Sequence, residues 1–355
     1  MKKKLLILNN IGSPASTSVR DVRRYLREFL MDPFVIQIPF IFRFLLVYGI
    51  ISLFRPAKSA EKYKTIWTDR GSPLLSLTLD LKTKLLKHLE DFDISLGMRY
   101  QNPSLQKSIS NLSQYDSIYL APLYPQYAES STLSSTQKFI SEVKDQSKKN
   151  SISLTGKTIK VLKPFWKHRL FIETWTQKFQ SIDLAQYDLL LFSYHGLPES
   201  QLAKNHFCQF NSSCCLNSDN ADNNCYRAQC FQTTNLILNS LKKSGKLPPK
   251  LKMETSFQSR LGRSKWIEPY TDIFLKTAAQ DHQIKRILVL CPAFVTDCLE
   301  TLEEIKIENK KLFLEHGGLQ LDYLSSLNDD DHWAKNLSLI IKEDSSFDTL
   351  TIAGP

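Results

Sequence analysis

Eight predicted strands alternate with helical patterns along the 355 residues, and this alternation restricts the fold more than any other feature. Because strands that alternate with helices form parallel sheets, the pattern predicts an α/β protein with helices flanking parallel sheets. The predicted strands are 4–9, 93–97, 117–121, 158–162, 188–194, 252–257, 286–290 and 319–324. The predicted helices are 19–30, 76–89, 131–146, 170–179, 226–244, 270–280, 297–314 and 333–342.

The length of the chain allows two domains of ordinary size, each with its own core. We expect two similar Rossmann-like domains, residues 1–160 and 161–325, with the change from one to the other near residues 156–168. The remaining segment, 326–355, contains the last predicted helix. We expect it to return towards the first domain.

A histidine and two glutamates follow strands of the second predicted domain. His195 ends the apolar run 188–194, and Glu300 and Glu304 follow the run 286–290. Ligands of open α/β sheets bind beyond the carboxyl ends of the strands. A neutral imidazole and a carboxylate there could hold a divalent metal or share proton transfer.

Each of these residues also has a structural interpretation. His195 alone fits a hydrogen-bonded residue at a strand end. Asp297 and Glu300 fit a capping box, in which Asp297 caps a helix and Glu300 reaches back to its amide. Glu300 and Glu304 nevertheless share a helix face at i and i+4, where like charges repel, and this favours a cation or proton partner.

Residues 34–54 form the most hydrophobic segment of the chain. A membrane span is disfavoured because Pro39 would kink it and Arg43 would be costly in a bilayer. Two alternatives remain: a buried core helix, and an exposed apolar lip that contacts a membrane surface or an apolar ligand. Arg43 and Arg55 could snorkel from such a lip.

The net charge of the chain and its N-terminal residues indicate which partners and which cellular location to expect. The net charge of +10 is not concentrated in a long basic run, so it indicates a scattered basic surface or a bias towards a membrane, and no nucleic-acid motif accompanies it. Asn9 and Asn10 interrupt the first apolar run too early for a secretory leader. We therefore expect a first strand here, a cytoplasmic protein and no nucleic-acid partner.

Five of the seven cysteines lie close together between positions 205 and 230: Cys208, Cys214, Cys215, Cys225 and Cys230. Clustering of this kind in a cytosolic chain favours metal binding over disulfides. Zinc, an iron–sulfur cluster and unmetallated thiols remain open. Cys291 and Cys298 lie elsewhere and are interpreted as ordinary buried residues.

Short motifs along nearly the whole chain resemble the ferrochelatase family, in the family's order. They include Met98-Arg99-Tyr100 and the Ser-Tyr-His-Gly-Leu-Pro run 193–198. The full set is 10–14, 25–30, 55–56, 66–67, 71–74, 98–100, 122–127, 192–198, 256–260 and 297–305. Any one motif is weak, but this many in sequence is highly specific.

The resemblance implies that the enzyme inserts Fe²⁺ into protoporphyrin IX to form protohaem, the terminal step of haem biosynthesis. It implies that His195 and Glu300 bind or deliver Fe²⁺ and handle the two pyrrole protons, and that Glu304 continues an acidic track. Ser72, Arg99 and Tyr100 match positions near the porphyrin or the metal. The lip at 34–54 resembles the apolar mouth through which members contact porphyrin and the inner membrane.

Two further implications concern cysteines. Some bacterial members hold a [2Fe–2S] cluster in an internal insert, and residues 205–230 resemble that insert. Four thiolates suffice for such a cluster, so one of the five cysteines is spare, and the cramped neighbours Cys214 and Cys215 are the expected source of it. Cys298 stands where some branches carry a second histidine, so roles assigned to that histidine do not transfer.

Three rival functions are weaker. A non-catalytic haem or metal sensor would not need His195 together with Glu300. A chelatase for another metal and tetrapyrrole fits the apolar lip and the motif order less well. A hydrolase is disfavoured because the chain has no Gly-x-Ser-x-Gly elbow. The sequence leaves protoporphyrin or coproporphyrin open, with the lip favouring the less polar one, and it leaves the oligomeric state open.

Overall fold

A computed structural model describes residues 3–202, 208, 210–262 and 264–352. The strands are β1 (Lys4–Asn9), β2 (Phe92–Leu96), β3 (Ser117–Pro122), β4 (Thr158–Leu162), β5 (Leu189–His195), β6 (Lys252–Gln258), β7 (Arg286–Leu290), β8 (Gln320–Leu324) and β9 (Phe347–Thr349). The α-helices are Val19–Leu30, Phe40–Phe44, Ser52–Ile66, Pro73–Leu86, Leu105–Ser108, Ser134–Lys149, Arg169–Lys178, Glu199–Leu202, Ser212–Leu216, Ser218–Asp222, Tyr226–Lys243, Thr271–Gln280, Lys310–Glu315 and Asp331–Lys342. The π-helical segments are Leu45–Ile51, Glu129–Leu133 and Glu300–Asn309, and short 3₁₀ turns are Leu112–Gln114, Leu184–Gln186 and Asp344–Ser346.

The strands form two sheets. The first has the order β2-β1-β3-β4-β9, and its strands are parallel except β9, which pairs antiparallel with β4. The second has the order β6-β5-β7-β8 and is parallel throughout. Helices cover the faces of such sheets, so the inner strands β1, β3, β5 and β7 are buried along most of their length, whereas the edge strand β2 alternates. The predicted α/β fold class is confirmed.

The described chain divides into two compact units, each with its own core. Residues 3–124, 128–164 and 329–352 form the first unit, and residues 125–127 with the described part of 165–328 form the second. Side chains such as Ile7, Leu120 and Phe139 fill the core of the first. Leu191 and Phe313 belong to the core of the second.

All eight predicted strands are confirmed to within a residue or two at their ends, and the predicted helix 297–314 is confirmed as helical, although it is not an α-helix throughout. It is a π-helix over Glu300–Asn309 that continues as an α-helix over Lys310–Glu315. Apolar spacing does not separate hydrogen bonds to the fourth residue from bonds to the fifth, so the sequence pattern could not show the difference. Strand β9 was not predicted because three residues are too few for a pattern.

Residues 40–54 of the apolar lip are helical. An unbroken helical stretch runs over Phe40–Ile66, with Pro39 placed just before its first turn. Pro56 lies inside it and lacks the N–H that would bond the Ser52 carbonyl, and the Arg23 Nε–H donates to that oxygen at 3.0 Å instead.

Most of the lip is exposed, which rules out a buried core helix. Phe42 is 61% exposed and Phe54 is 77% exposed. The helix is long and apolar enough to cross a membrane by length and composition, a criterion that is weak for a single helix. The expectation that Arg43 snorkels from the lip is wrong: its guanidinium is buried and donates to the carbonyl oxygens of Ile36 and Ile38 at 3.1 and 3.0 Å.

Candidate active site

His195 is the last residue of β5 and is partly buried. Its Nδ1 lies 2.6 Å from the carbonyl oxygen of Gly196. Because a carbonyl oxygen can only accept, this contact requires the proton on Nδ1 and leaves the lone pair on Nε2. That tautomer suits binding a cation or accepting a proton through Nε2.

The main chain around His195 is fixed on two sides. The Tyr226 hydroxyl donates to the His195 carbonyl at 2.8 Å, and the Gly196 N–H donates to the Gln258 carbonyl at 2.7 Å. A Cβ at position 196 would lie 2.8 Å from that Gln258 oxygen, so the strand end can approach its neighbour this closely only with glycine. The imidazole therefore projects from a rigid turn.

The π-helix Glu300–Asn309 carries three glutamates four residues apart: Glu300, Glu304 and Glu308. The π-helix closes its turns with i to i+5 bonds, which often mark functional sites. Burial first, and then the negative charges of Glu300 and Glu308, raise the pKa of Glu304 to about 7 against an opposing contribution from Ser259. Glu304 can therefore take up or release a proton near neutral pH.

Gln258, the last residue of β6, and Ser259, which follows it, donate hydrogen bonds to Glu300 and Glu304. The Gln258 Nε2–H donates to the Glu300 carbonyl at 2.7 Å. The Ser259 N–H donates to a carboxylate oxygen of Glu304 at 2.8 Å, and the Ser259 hydroxyl donates to the other. Since Gln258 is also the register partner of His195 in β5, it links the histidine strand to the glutamate helix.

The capping-box interpretation of Glu300 is wrong. The Asp297 N–H donates to Asn328 Oδ1 at 2.8 Å, so Glu300 is not its partner. The Asp297 carboxylate accepts instead from the Thr301 hydroxyl at 2.9 Å and from the Tyr323 hydroxyl at 2.7 Å. The helix start is satisfied without Glu300, and this leaves the Glu300 carboxylate for another role.

Cys291 and Cys298 are buried, as expected, but their thiols also contact residues of the site. Burial raises the pKa of Cys298, and the negative charge of Glu300 and a hydrogen bond to it raise the pKa further. The Cys291 thiol donates to Gln258 Oε1 at 3.6 Å, and the Ser193 hydroxyl donates to the same oxygen at 2.6 Å.

Arg99 and Tyr100 form a closed network in the first unit around one buried carboxylate, Asp32. The Arg99 guanidinium pairs with Asp32, and its Nε–H donates to the Ser134 hydroxyl at 2.7 Å. The Tyr100 hydroxyl donates to Asp32 at 2.8 Å, and burial raises its pKa well above the ordinary value. Ser72 stands at the start of the helix Pro73–Leu86 and is buried, with no side-chain cap bond.

Sequence reasoning missed Gln258, Ser259, Asp32 and Ser134. A signal existed for three of them. Gln258 and Ser259 lie in a motif that already carried the family resemblance. Asp32 stands between the apolar helix Val19–Leu30 and the apolar lip, and a carboxylate there needs a buried cationic partner.

The cysteine-rich segment adjoins the His195 turn through one helix. Cys225 begins the helix Tyr226–Lys243, whose Tyr226 bonds the His195 carbonyl. The Arg227 Nη1–H donates to Cys215 Sγ at 2.6 Å, and the Asn220 Nδ2–H to Cys214 Sγ at 3.4 Å.

The pKa values of these thiols reflect one another. A hydrogen bond from Cys208 lowers the pKa of Cys225 and raises that of Cys208 itself. Burial raises the pKa of Cys215 to about 11, against the neighbouring Arg227. Within the described ranges, no three His, Cys, Asp or Glu side chains converge on a point that could hold a metal ion.

Comparison with known proteins identifies the class to which this chain of two mostly parallel sheets belongs. Its fold is similar to that of SirB from Bacillus subtilis, solved with Fe³⁺, at a TM-score of 0.50 and 11% identity over 98% of this chain and 97% of that one. The sequence profile of the ferrochelatase family matches residues 3–345. A ferrochelatase of Pseudomonas fluorescens (strain Pf0-1) is 43% identical over 96% of this chain and 98% of its own. A ferrochelatase of Pseudomonas syringae pv. tomato is 41% identical over 95% of this chain and 97% of its own.

The chain belongs to the ferrochelatase family and is a ferrochelatase-type metal chelatase, a lyase that inserts iron into porphyrin in haem synthesis.

Proposed function

We propose that the physiological reaction is insertion of Fe²⁺ into protoporphyrin IX, with His195, Glu300 and Glu304 as the catalytic and metal-handling residues. The observation that carries the proposal is that the second unit holds both an imidazole whose Nδ1 lies 2.6 Å from the Gly196 carbonyl oxygen and the Glu304 carboxyl, whose pKa is raised to about 7. The two are tied together through Gln258. The exposed apolar lip favours protoporphyrin over the more polar coproporphyrin.

The reaction exchanges two pyrrole protons for one Fe²⁺, so the site must accept two protons as the metal–nitrogen bonds form. His195 Nε2 accepts one because its lone pair is kept available by the Nδ1–H bond to Gly196. The carboxylates of Glu300 and Glu304 bind the incoming Fe²⁺. Glu304 then takes up a proton and releases it to solvent, a step for which a pKa near 7 is suited.

In the first unit we propose that Ser72, Arg99 and Tyr100 lie against the porphyrin. Pairing with Asp32 fixes the Arg99 guanidinium and the Tyr100 ring in one arrangement, and the Arg99 side chain keeps 13% exposure for contact with substrate. Fixed polar groups of this kind orient a flat apolar ligand at little entropic cost.

Purified protein, Fe²⁺ and either porphyrin under anaerobic conditions test the function. We expect haem absorbance to grow with protoporphyrin IX, with iron consumed in equal amount, and a lower kcat/KM with coproporphyrin III. Binding of porphyrin or haem without consumption of iron would favour the non-catalytic sensor. A higher kcat/KM with coproporphyrin would overturn the substrate assignment.

We also propose a [2Fe–2S] cluster held by Cys208, Cys214, Cys215 and Cys225, with Cys230 as the spare. The described thiols do not converge on one point, so the support comes from the chemistry of the donor set: N–H donors face two of the thiols, and hydrogen bonds to sulfur are typical of cluster sites. Cys230 is fully buried in the helix Tyr226–Lys243, and its thiol contacts Tyr226. Its burial and this contact fit a packing role. When bound, a cluster would tie the insert into one compact loop.

Anaerobic purification followed by visible spectroscopy and metal analysis tests this ligand set. We expect a reddish-brown protein, bleached by Cys→Ser at each of the four ligand positions and not by Cys230→Ser. Stoichiometric zinc, or full activity without metal, would refute the cluster. Loss of colour in Cys230→Ser with colour retained in Cys214→Ser or Cys215→Ser would refute this ligand set in favour of the spare expected from the sequence.

We propose a cytoplasmic protein that contacts the inner membrane peripherally through the lip. The lip helix has nine large hydrophobic side chains exposed between residues 40 and 54: Phe40, Ile41, Phe42, Phe44, Leu45, Tyr48, Ile50, Leu53 and Phe54. Exposed patches of this kind mark contacts with membranes or partners.

A further inference from the structure

Four arginines of one helix, together with Arg99, line an open pocket of about 870 Å³ in the first unit. Arg20, Arg23, Arg24 and Arg27 all lie on the helix Val19–Leu30, three or four residues apart, so their side chains share one face. Like charges at this spacing repel and destabilise a helix. The arrangement therefore favours an anion as neighbour.

Two of these arginines have structural partners. The Arg23 Nε–H donates to the Ser52 carbonyl, and the Arg27 Nε–H donates to the Ser52 hydroxyl at 3.1 Å. The Arg27 guanidinium also lies over the Tyr48 ring, 4.7 Å from its centre. These contacts join the arginine helix to the lip helix side by side.

The other two, Arg20 and Arg24, are exposed; the Ser16 hydroxyl and, to a smaller extent, the charges of these two arginines lower the pKa of Asp21 on the same helix. The two acidic residues of the pocket do not offset them. Glu28 accepts from the Gln101 main chain at 3.1 Å and from its side chain, and Asp32 is paired with Arg99. The pocket is therefore strongly positive.

We infer that this pocket binds the acidic headgroups of an anionic bilayer while the neighbouring lip enters its apolar layer. A helix with large apolar side chains beside arginines is the pattern of an interfacial membrane anchor. Tyr48 belongs both to the exposed apolar lip, where it is 38% exposed, and to the wall of the arginine pocket. The inference rests on the proposed membrane contact and adds the lipid class and the residues that select it, Arg20 and Arg24.

Vesicle co-sedimentation of the full chain tests the inference. The probes are vesicles of phosphatidylcholine alone and vesicles that also contain about a third phosphatidylglycerol. Each basic side chain near an anionic surface contributes about fivefold to partitioning, so we expect Arg20→Gln/Arg24→Gln to lose about 30-fold on the anionic vesicles and little on the neutral ones. The loss should shrink at high salt.

Two controls separate this inference from the membrane proposal. Lys148→Gln/Lys149→Gln removes the same charge from exposed positions of another helix in the same unit and should leave anionic binding within about twofold. Phe42→Ser/Phe54→Ser removes exposed lip side chains and should weaken binding to both vesicle types.

Binding that depends on the lip but not on Arg20 and Arg24 would overturn the headgroup site and leave the membrane contact intact. Binding to neither vesicle type would overturn both. A loss of protoporphyrin affinity in the arginine variant, with vesicle binding unchanged, would assign the pocket to the carboxylates of the substrate instead.

Discussion

Replacement of Glu304 by glutamine should make the protein more stable and less active, because the wild-type carboxylate is held in an environment that opposes its charge. The pKa of Glu304 is raised from 4.5 to about 7 by burial and by the neighbouring Glu300. The folded protein therefore binds this proton more tightly than the unfolded chain does. Folding stability is full below the unfolded value and is lost as pH rises towards 7.

The size of the loss follows from the shift. A pKa raised from 4.5 to about 7 lowers the free energy of unfolding by about 3 kcal/mol above pH 7. Partial access of solvent to the carboxylate reduces this destabilisation to roughly 1–3 kcal/mol. Glu304→Gln keeps the shape and removes the charge, so it should not show this loss. Since each kcal/mol shifts Tm by about 2 °C in a chain of this size, the variant should melt several degrees above wild type at pH 8.

Thermal unfolding of wild type and Glu304→Gln at pH 5 and pH 8 measures the effect. We expect the advantage of the variant to be clearly larger at pH 8, with iron insertion reduced at least tenfold at both pH values. Glu315→Gln, which removes one partner of an exposed ion pair with Lys311, should change Tm little at either pH. An advantage that does not change with pH would refute the reasoning about Glu304.

The remaining predictions concern the neighbours of Glu304. Glu300→Gln should melt within about 1 °C of wild type and lose most of its turnover, since the helix start is satisfied by Asp297 and Thr301; normal activity would return Glu300 to a structural role. Ser259→Ala removes a donor that lowers the pKa of Glu304, so the acid limb of the kcat/KM profile should move to higher pH by about one unit, and a limb that stays in place would contradict the role of Ser259.

The sequence predicted the scaffold well because continuous apolar runs identify buried parallel strands. The same physics placed His195 at a strand end, where β5 terminates. It could not predict the π-helix at Glu300, since the residues on its buried face also fit an α-helical spacing. The capping-box pattern at Asp297 was satisfied by a residue remote in sequence, Asn328, and local pattern reasoning does not include such partners.

Long-range polar contacts explain the other differences. Arg43 was expected to reach solvent, yet it satisfies two carbonyl groups in the turn that precedes its own helix. Asp32 and Arg99 lie far apart in sequence and form one buried ion pair. Composition and periodicity indicate which residues are buried but not which polar groups will meet, because that depends on the packed arrangement of several elements.

The most direct test of the catalytic assignment is iron insertion by His195→Ala. Wild type, His195→Ala and the exposed-site control His88→Ala should be compared anaerobically with Fe²⁺ and protoporphyrin IX, with porphyrin binding measured by fluorescence. We expect porphyrin binding to be retained in all three and turnover to fall far more than tenfold only in His195→Ala. Turnover above about a tenth of wild type, a barrier change of under ~1.4 kcal/mol, would contradict a central role for His195.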